Sequence, residues 1–203
     1  MLRKKSFYIF VLVFLFATAV KMQVAEAAFS DVPSSHQNVD AISYVQSQKI
    51  VSGYPDGSFQ PDRLINRAEF TKIIVNSTLS VNEIYGSYCF PDIENESESA
   101  GDFQWFASYV CSAKRKGIIA GYPDGFFKPV NEINFVEAAK IVLNGFEYSV
   151  REDDVWFRPF LEKLSELNAI PVSINKLDQK ITRGELAEIV YRLKQGIKNK
   201  KSM

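Results

Sequence analysis

Apolar residues recur along the chain at the spacing of a helix rather than the alternation of a strand. Ile42, Val45 and Ile50 share one helical face, and so do Phe160, Leu161, Leu164 and Leu167. Later stretches repeat the pattern with Phe70, Ile73 and Ile74, with Ile141 and Val142, and with Leu186, Ile189, Val190 and Leu193. Three of these stretches have a marked start: Asn66 precedes Glu69, Asn134 precedes Glu137 and Thr182 precedes Glu185, each by three residues. That is the capping-box spacing, in which two side chains satisfy free amides of the first turn. Six helices are predicted, taken in pairs with a loop inside each pair.

The loops reveal a repeat. GYPDGSFQP at Gly53 to Pro61 returns as GYPDGFFKP at Gly121 to Pro129, 68 positions on, and Ile65 and Glu69 meet Ile133 and Glu137 at the same offset. Pro55 presets a turn, Asp56 bonds its own following backbone and Gly57 takes a positive φ, as do Pro123, Asp124 and Gly125 in the second copy. Upstream, FSDV at Phe29 answers FPDI at Phe90, with ENESESAGD inserted in the second copy. A third copy is worn: WFRPFLEKLSELNAI at Trp156 answers WFASYVCSAKRKGII at Trp105, and ITRGELAEIVYRL at Ile181 answers INRAEFTKIIVNS at Ile65, but the glycine loop is gone. The repeats are read as residues 28–80, 88–147 and 151–194. One helix pair buries too little apolar surface, so the expected fold is all-α, three helix-loop-helix repeats packed into one compact domain.

Composition adds a compartment. Arg3, Lys4 and Lys5 precede an apolar run from Phe7 to Val20, too short for a span, and Ala25-Glu26-Ala27 is a small-x-small cleavage site. Residues 1–27 are read as a signal peptide, the alternative being an uncleaved anchor, and no membrane span is expected after cleavage. Removing them leaves 20 basic and 23 acidic residues, so no basic field gathers nucleic acid. The basic residues at 195–203 are read as a solvated tail. Cys89 and Cys111, in an exported chain, are expected to pair, which contributes on the order of 3 kcal/mol by loop closure; two buried thiols are the alternative.

In its order of motifs, F-x-D-V, G-Y-x-D-G-x-F-x-P and I-x-R-A-E, the chain resembles the S-layer homology domain, over Phe29 to about Leu193. The resemblance implies a pseudo-threefold bundle with grooves between repeats, exported to the bacterial cell envelope or cell surface. It also implies binding of a secondary cell wall polysaccharide, often pyruvylated. Arg67 and Arg183 match the family's binding arginines, and a guanidinium fork suits a carboxylate. The capped helix starts offer amides to the same anion. Tyr54, Tyr122, Trp105 and Trp156 could stack on sugars, and the loops with Asp56, Gly57, Asp124 and Gly125 would line the groove beside Glu69 and Glu185. Each has a plainer reading: the glutamates as caps, the tryptophans as core, the aspartates as turn formers, the arginines as structural ion pairs.

Departures limit the expectation. Phe135 stands where the second copy would carry its arginine, and Gln37 where the first would carry its tryptophan, so at most two grooves are expected to bind. A catalytic site, cofactor or metal is not expected: His36 is the single histidine, no nucleophile or phosphate-binding motif occurs, and Phe59 and Pro61 interrupt any calcium-loop pattern. The leading function is therefore non-catalytic anchoring to a wall glycan. The alternative is a stand-alone envelope scaffold or adaptor whose partner is another envelope protein.

Overall fold

In the computed structural model the described residues are 29–86, 88–93 and 105–196. The expected leader, the acidic insertion and residues 197–203 of the expected tail lie outside them. Among the described residues the structure is helical, with isolated bridges in place of any strand. The helices are α1 (Val39–Ser47), α2 (Arg67–Thr78), α3 (Ala107–Arg115), α4 (Phe135–Gly145), α5 (Arg158–Glu166) and α6 (Arg183–Gln195), with a 3-10 turn at Val81–Glu83. None of them is long and apolar enough to cross a membrane.

The main helix–helix contacts run between the pairs rather than within them. α1 lies against α6, α3 against α2 and α5 against α4, while α2 meets both α4 and α6. The centre is a closed ring of backbone hydrogen bonds. The Ile65 amide donates to the Ile181 carbonyl (3.0 Å), the Ile181 amide to Ile133 (3.1 Å) and the Ile133 amide to Ile65 (3.3 Å). All three side chains are fully buried. A buried peptide group must find a partner, and here each isoleucine finds it on the other two helix pairs. The ring continues outward at the helix starts. Arg67 and Ala68 donate to Asn131 and Pro129, Phe135 and Val136 to Gln179 and Leu177, and Arg183 and Gly184 to Arg63 and Pro61.

This arrangement corrects the sequence reading of the helix starts. Their first two amides are satisfied by carbonyls of a neighbouring loop, and the third by the N-cap side chain, as Glu69 N donates to Asn66 Oδ1 and Glu137 N to Asn134 Oδ1. No amide of that turn remains for an anion. The capping box is reciprocal in α4 and α6, where Glu137 and Glu185 accept from the cap amides. In α2 only the asparagine half forms, because the Glu69 carboxylate is engaged by Arg63.

The FxD motifs hold the glycine loops. Asp31 accepts from the amides of Phe59 and Gln60, both at 2.7 Å, and Asp92 accepts from Phe127 (2.9 Å) and Lys128 (2.7 Å). Phe29 stacks on Phe59 and Phe90 on Phe127, with centroids 5.3 and 5.6 Å apart. Gly53 and Gly121 run so close over these rings that a Cβ would stand 2.3 Å from Phe29 and 2.6 Å from Phe90. Within the loops the turn chemistry is as read: Ser58 N donates to Asp56 Oδ1 and Phe126 N to Asp124 Oδ1, while Gly57 and Gly125 have φ near 80°. The cysteines form the Cys89–Cys111 bridge, which ties the segment after α2 onto α3.

Each FxD carboxylate makes two charge-assisted bonds to backbone, so Asp31→Ala is expected to cost about 2–3 kcal/mol in urea unfolding. Loss of less than about 0.5 kcal/mol would show that the loop is held by the phenylalanine stack instead.

Candidate functional site

Two grooves share one construction. The floor of the first is the chain leaving α1, Lys49 to Tyr54, and its wall is Glu69, Lys72, Ile73 and Asn76 of α2. Trp105, just before α3, and Arg183, at the start of α6, complete a cavity of about 190 Å³. The second is floored by Gly117 to Pro123 and walled by Glu137, Lys140, Ile141 and Asn144 of α4; Trp156 and Arg67 complete about 470 Å³. Each groove therefore draws on all three helix pairs. The left-handed residue two positions past each first helix, Lys49 or Gly117, turns the chain onto the groove floor.

The ring explains where the arginines go. Arg67 and Arg183 each lie two residues after a ring isoleucine, and the backbone bond to the next pair carries the side chain across. Arg67 Nε donates to the Phe127 carbonyl at 2.9 Å, and its guanidinium lies 4.4 Å from the Tyr122 ring and 4.9 Å from Phe127. Arg183 Nε donates to the Phe59 carbonyl at 2.9 Å and stands 4.8 Å from both Tyr54 and Phe59. Only 5% and 6% of these residues is exposed, and among the described residues neither forms an ion pair with a carboxylate. Burial pushes both arginines below their ordinary pKa. They are buried guanidinium groups held by a backbone carbonyl and aromatic residues, with Glu137 and Glu69 acting on them from beyond ion-pair distance.

The mouths are aromatic and cationic. Lys72 lies over Trp105 and Tyr109 (4.9 and 5.3 Å), and Lys140 over Trp156 and Phe160 (5.7 and 5.9 Å). The tryptophans are 41% and 51% exposed, so they face the grooves rather than the core. Tyr54 donates to Glu69 at 2.9 Å and Tyr122 to Glu137 at 3.2 Å; burial raises both tyrosines' pKa. Asn76 and Asn144 brace the floors through the carbonyls of Ile50 and Ile118. Chemically, such a groove offers a desolvated guanidinium to an anion and an aromatic face to a sugar ring.

Of the residues anticipated from sequence, Tyr54, Glu69, Trp105 and Arg183 meet in the first groove, and Tyr122, Trp156 and Arg67 in the second. Asp56, Gly57, Asp124 and Gly125 lie outside both linings, in the loop turns. Glu185 stands in the third pair, where it accepts from Ser173, Gln179 and the Thr182 amide. There the arginine position holds Phe135, the tryptophan position Gln37, and the lysine and asparagine positions Glu188 and Arg192, a buried ion pair at 2.7 Å. Lys72, Lys140, Asn76 and Asn144 were not anticipated, although the 68-residue offset pairs them as it pairs the glutamates.

The comparisons with known proteins fit this geometry. The family model for the S-layer homology domain matches residues 28–71 and 101–139. The chain carries S-layer homology domains. The matched segments hold both groove floors, while Arg183 and Trp156 come from the part beyond them. The chain is 27% identical over 166 residues to the middle cell wall protein of Brevibacillus brevis, covering 81% of this chain and 15% of that protein. It is 30% identical over 160 residues to the surface layer protein of Brevibacillus choshinensis, covering 75% and 14%. It is 32% identical over 119 residues to the cellulosome-anchoring protein of Acetivibrio thermocellus, covering 59% and 26%. The chain thus spans about a quarter or less of these relatives' lengths. S-layer homology domains together with surface-layer and cell-wall relatives put the chain in the secreted cell envelope class.

Burial, and then the nearby Arg183, lower the Lys72 pKa. Its ammonium is therefore disfavoured in the folded state below that pKa, and the penalty is relieved as pH rises through it. In a carbon-detected titration of Lys72, Arg183→Gln is expected to move the midpoint upward. An unmoved midpoint would place the two cations in separate fields.

Proposed function

We propose that this chain is a non-catalytic module that anchors to the bacterial cell wall by binding an acidic, pyruvylated secondary wall polysaccharide in the first and second grooves. In this reading the three helix pairs are three repeats, 28–80, 88–147 and 151–194, closed into a pseudo-threefold domain whose third copy has diverged. The observation that carries the proposal is the buried guanidinium in each groove, Arg183 or Arg67, with no carboxylate at ion-pair distance and an exposed tryptophan beside it. A cation kept out of water without a partner is costly, and an anionic ligand removes the cost. A pyruvate ketal supplies such a carboxylate on a sugar, where the ring can stack on Trp105 or Trp156. The Tyr54–Glu69 and Tyr122–Glu137 pairs then meet its hydroxyls. The names of the anchoring and surface-layer relatives support the same role.

The test is sedimentation of the protein with purified wall sacculi before and after acid extraction of their secondary polymer. Binding is expected to vanish with the polymer. Arg67→Ala or Arg183→Ala is expected to lose about 2–5 kcal/mol of affinity in its groove, as truncation of a buried charge pair does, with the fold intact by circular dichroism. Failure to bind untreated sacculi would overturn the proposal and leave a helical envelope scaffold whose partner is a protein.

A further inference from the structure

The two grooves carry different charge. Three cations line the first, Lys49, Lys72 and Arg183, and two line the second, Arg67 and Lys140. Each has one glutamate, but the two glutamates are not equivalent. Glu137 returns to its own helix start and accepts from the Asn134 amide and from Tyr122. Glu69 instead accepts through both oxygens from Arg63 Nη2, at 2.5 and 2.6 Å, and the same nitrogen also donates to the Tyr54 hydroxyl. Arg63 stands two residues before its ring isoleucine, where the other pairs carry Asn131 and Gln179. It lies behind the lining, and its Nε is buried without a hydrogen-bond acceptor. The arginine thus gives up a hydrogen bond and the α2 capping box to neutralise the one acid of the first groove.

From this we infer that the two grooves take different ligands: the first selects a saccharide unit bearing two negative charges, and the second a singly charged one. The inference rests on the glycan reading above and names the substrate class of each groove. In the first, the charge of Glu69 is offset by Arg63, so the three lining cations stand in excess around a cavity of about 190 Å³. In the second, Glu137 opposes two cations over about 470 Å³, so a second anionic group meets a carboxylate there, while a larger and more hydroxylated unit fits. Arg63 acts through Glu69 and Tyr54 and is a positioning residue for specificity.

Each groove mouth holds one of the chain's two tryptophans, so single-tryptophan variants report the grooves separately. Trp156→Phe leaves Trp105 to report the first, and Trp105→Phe leaves Trp156 to report the second. Fluorescence titration at pH 7.5 uses glucuronic acid as the monoanion, glucaric acid as the dicarboxylate and glucose 6-phosphate as the phosphate dianion. The first groove is expected to favour the dianions by about tenfold over glucuronic acid, and the second to show no such preference. If only one dianion is favoured, that identifies the source of the second charge, carboxylate or phosphate. Arg63→Gln is expected to collapse the preference in the first groove while glucuronic acid binding persists, and Asn131→Arg to create it in the second. Equal ratios in both grooves, or a ratio unmoved by Arg63→Gln, would overturn the inference while leaving the anchoring reading intact. Absence of every probe from both grooves, with no binding to sacculi, would overturn that reading itself.

Discussion

The structure depends on three buried peptide groups that can be satisfied only by one another. Ile65, Ile181 and Ile133 pass hydrogen bonds around a closed ring, so removing any one helix pair would leave a buried amide and a buried carbonyl unpaired. No pair is a folding unit by itself under that constraint. The ring also sets the site. Because the backbone at each helix start is bonded to the next loop, the side chain two residues past the isoleucine is delivered across the boundary, and an arginine there becomes part of a neighbour's groove. Fold and site are consequences of one contact.

The cost of the site is visible in the pair that lacks it. At the third pair the arginine position is Phe135, which is buried and uncharged, and the wall closes with Glu188 bonded to Arg192 and Arg192 bonded to the Asn168 carbonyl. There the buried cation has a carboxylate at ion-pair distance. In the two grooves the guanidinium groups of Arg67 and Arg183 sit as deeply but have no carboxylate at ion-pair distance, and they bond a backbone carbonyl among aromatic rings. Desolvating a cation that has no ion-pair partner is unfavourable. Both of these cations lie beside an exposed tryptophan.

Much of the architecture was legible in the residue order. The duplicated glycine loop, the spacing of caps and glutamates, and the helical periodicity define the elements without any knowledge of their packing, since turns, caps and amphipathic faces are local properties. The arginines, tyrosines and tryptophans of the grooves were legible too, as motifs met twice, whereas the lysines and asparagines were not. The destination of the helix-start amides was not: a cap signature says that an amide needs an acceptor, and only packing decides whether a neighbouring loop supplies it. Nor was the fate of Glu69, which is written like Glu137 and Glu185 but is claimed by Arg63 through space. The tryptophans, equally fit for core or mouth by composition, were also settled only by packing.

By itself the sequence determined the six helices, the turns, the register of the repeats and the residue types available for binding, because each of these is set within a few positions along the chain. The tertiary structure alone decided which pair contributes which residue to which groove. Arg183 reaches Phe59 across 124 positions and Arg67 reaches Phe127 across 60, and no local rule carries information over such distances. A closed ring of buried hydrogen bonds does, since satisfying the last peptide group fixes the placement of all three pairs at once.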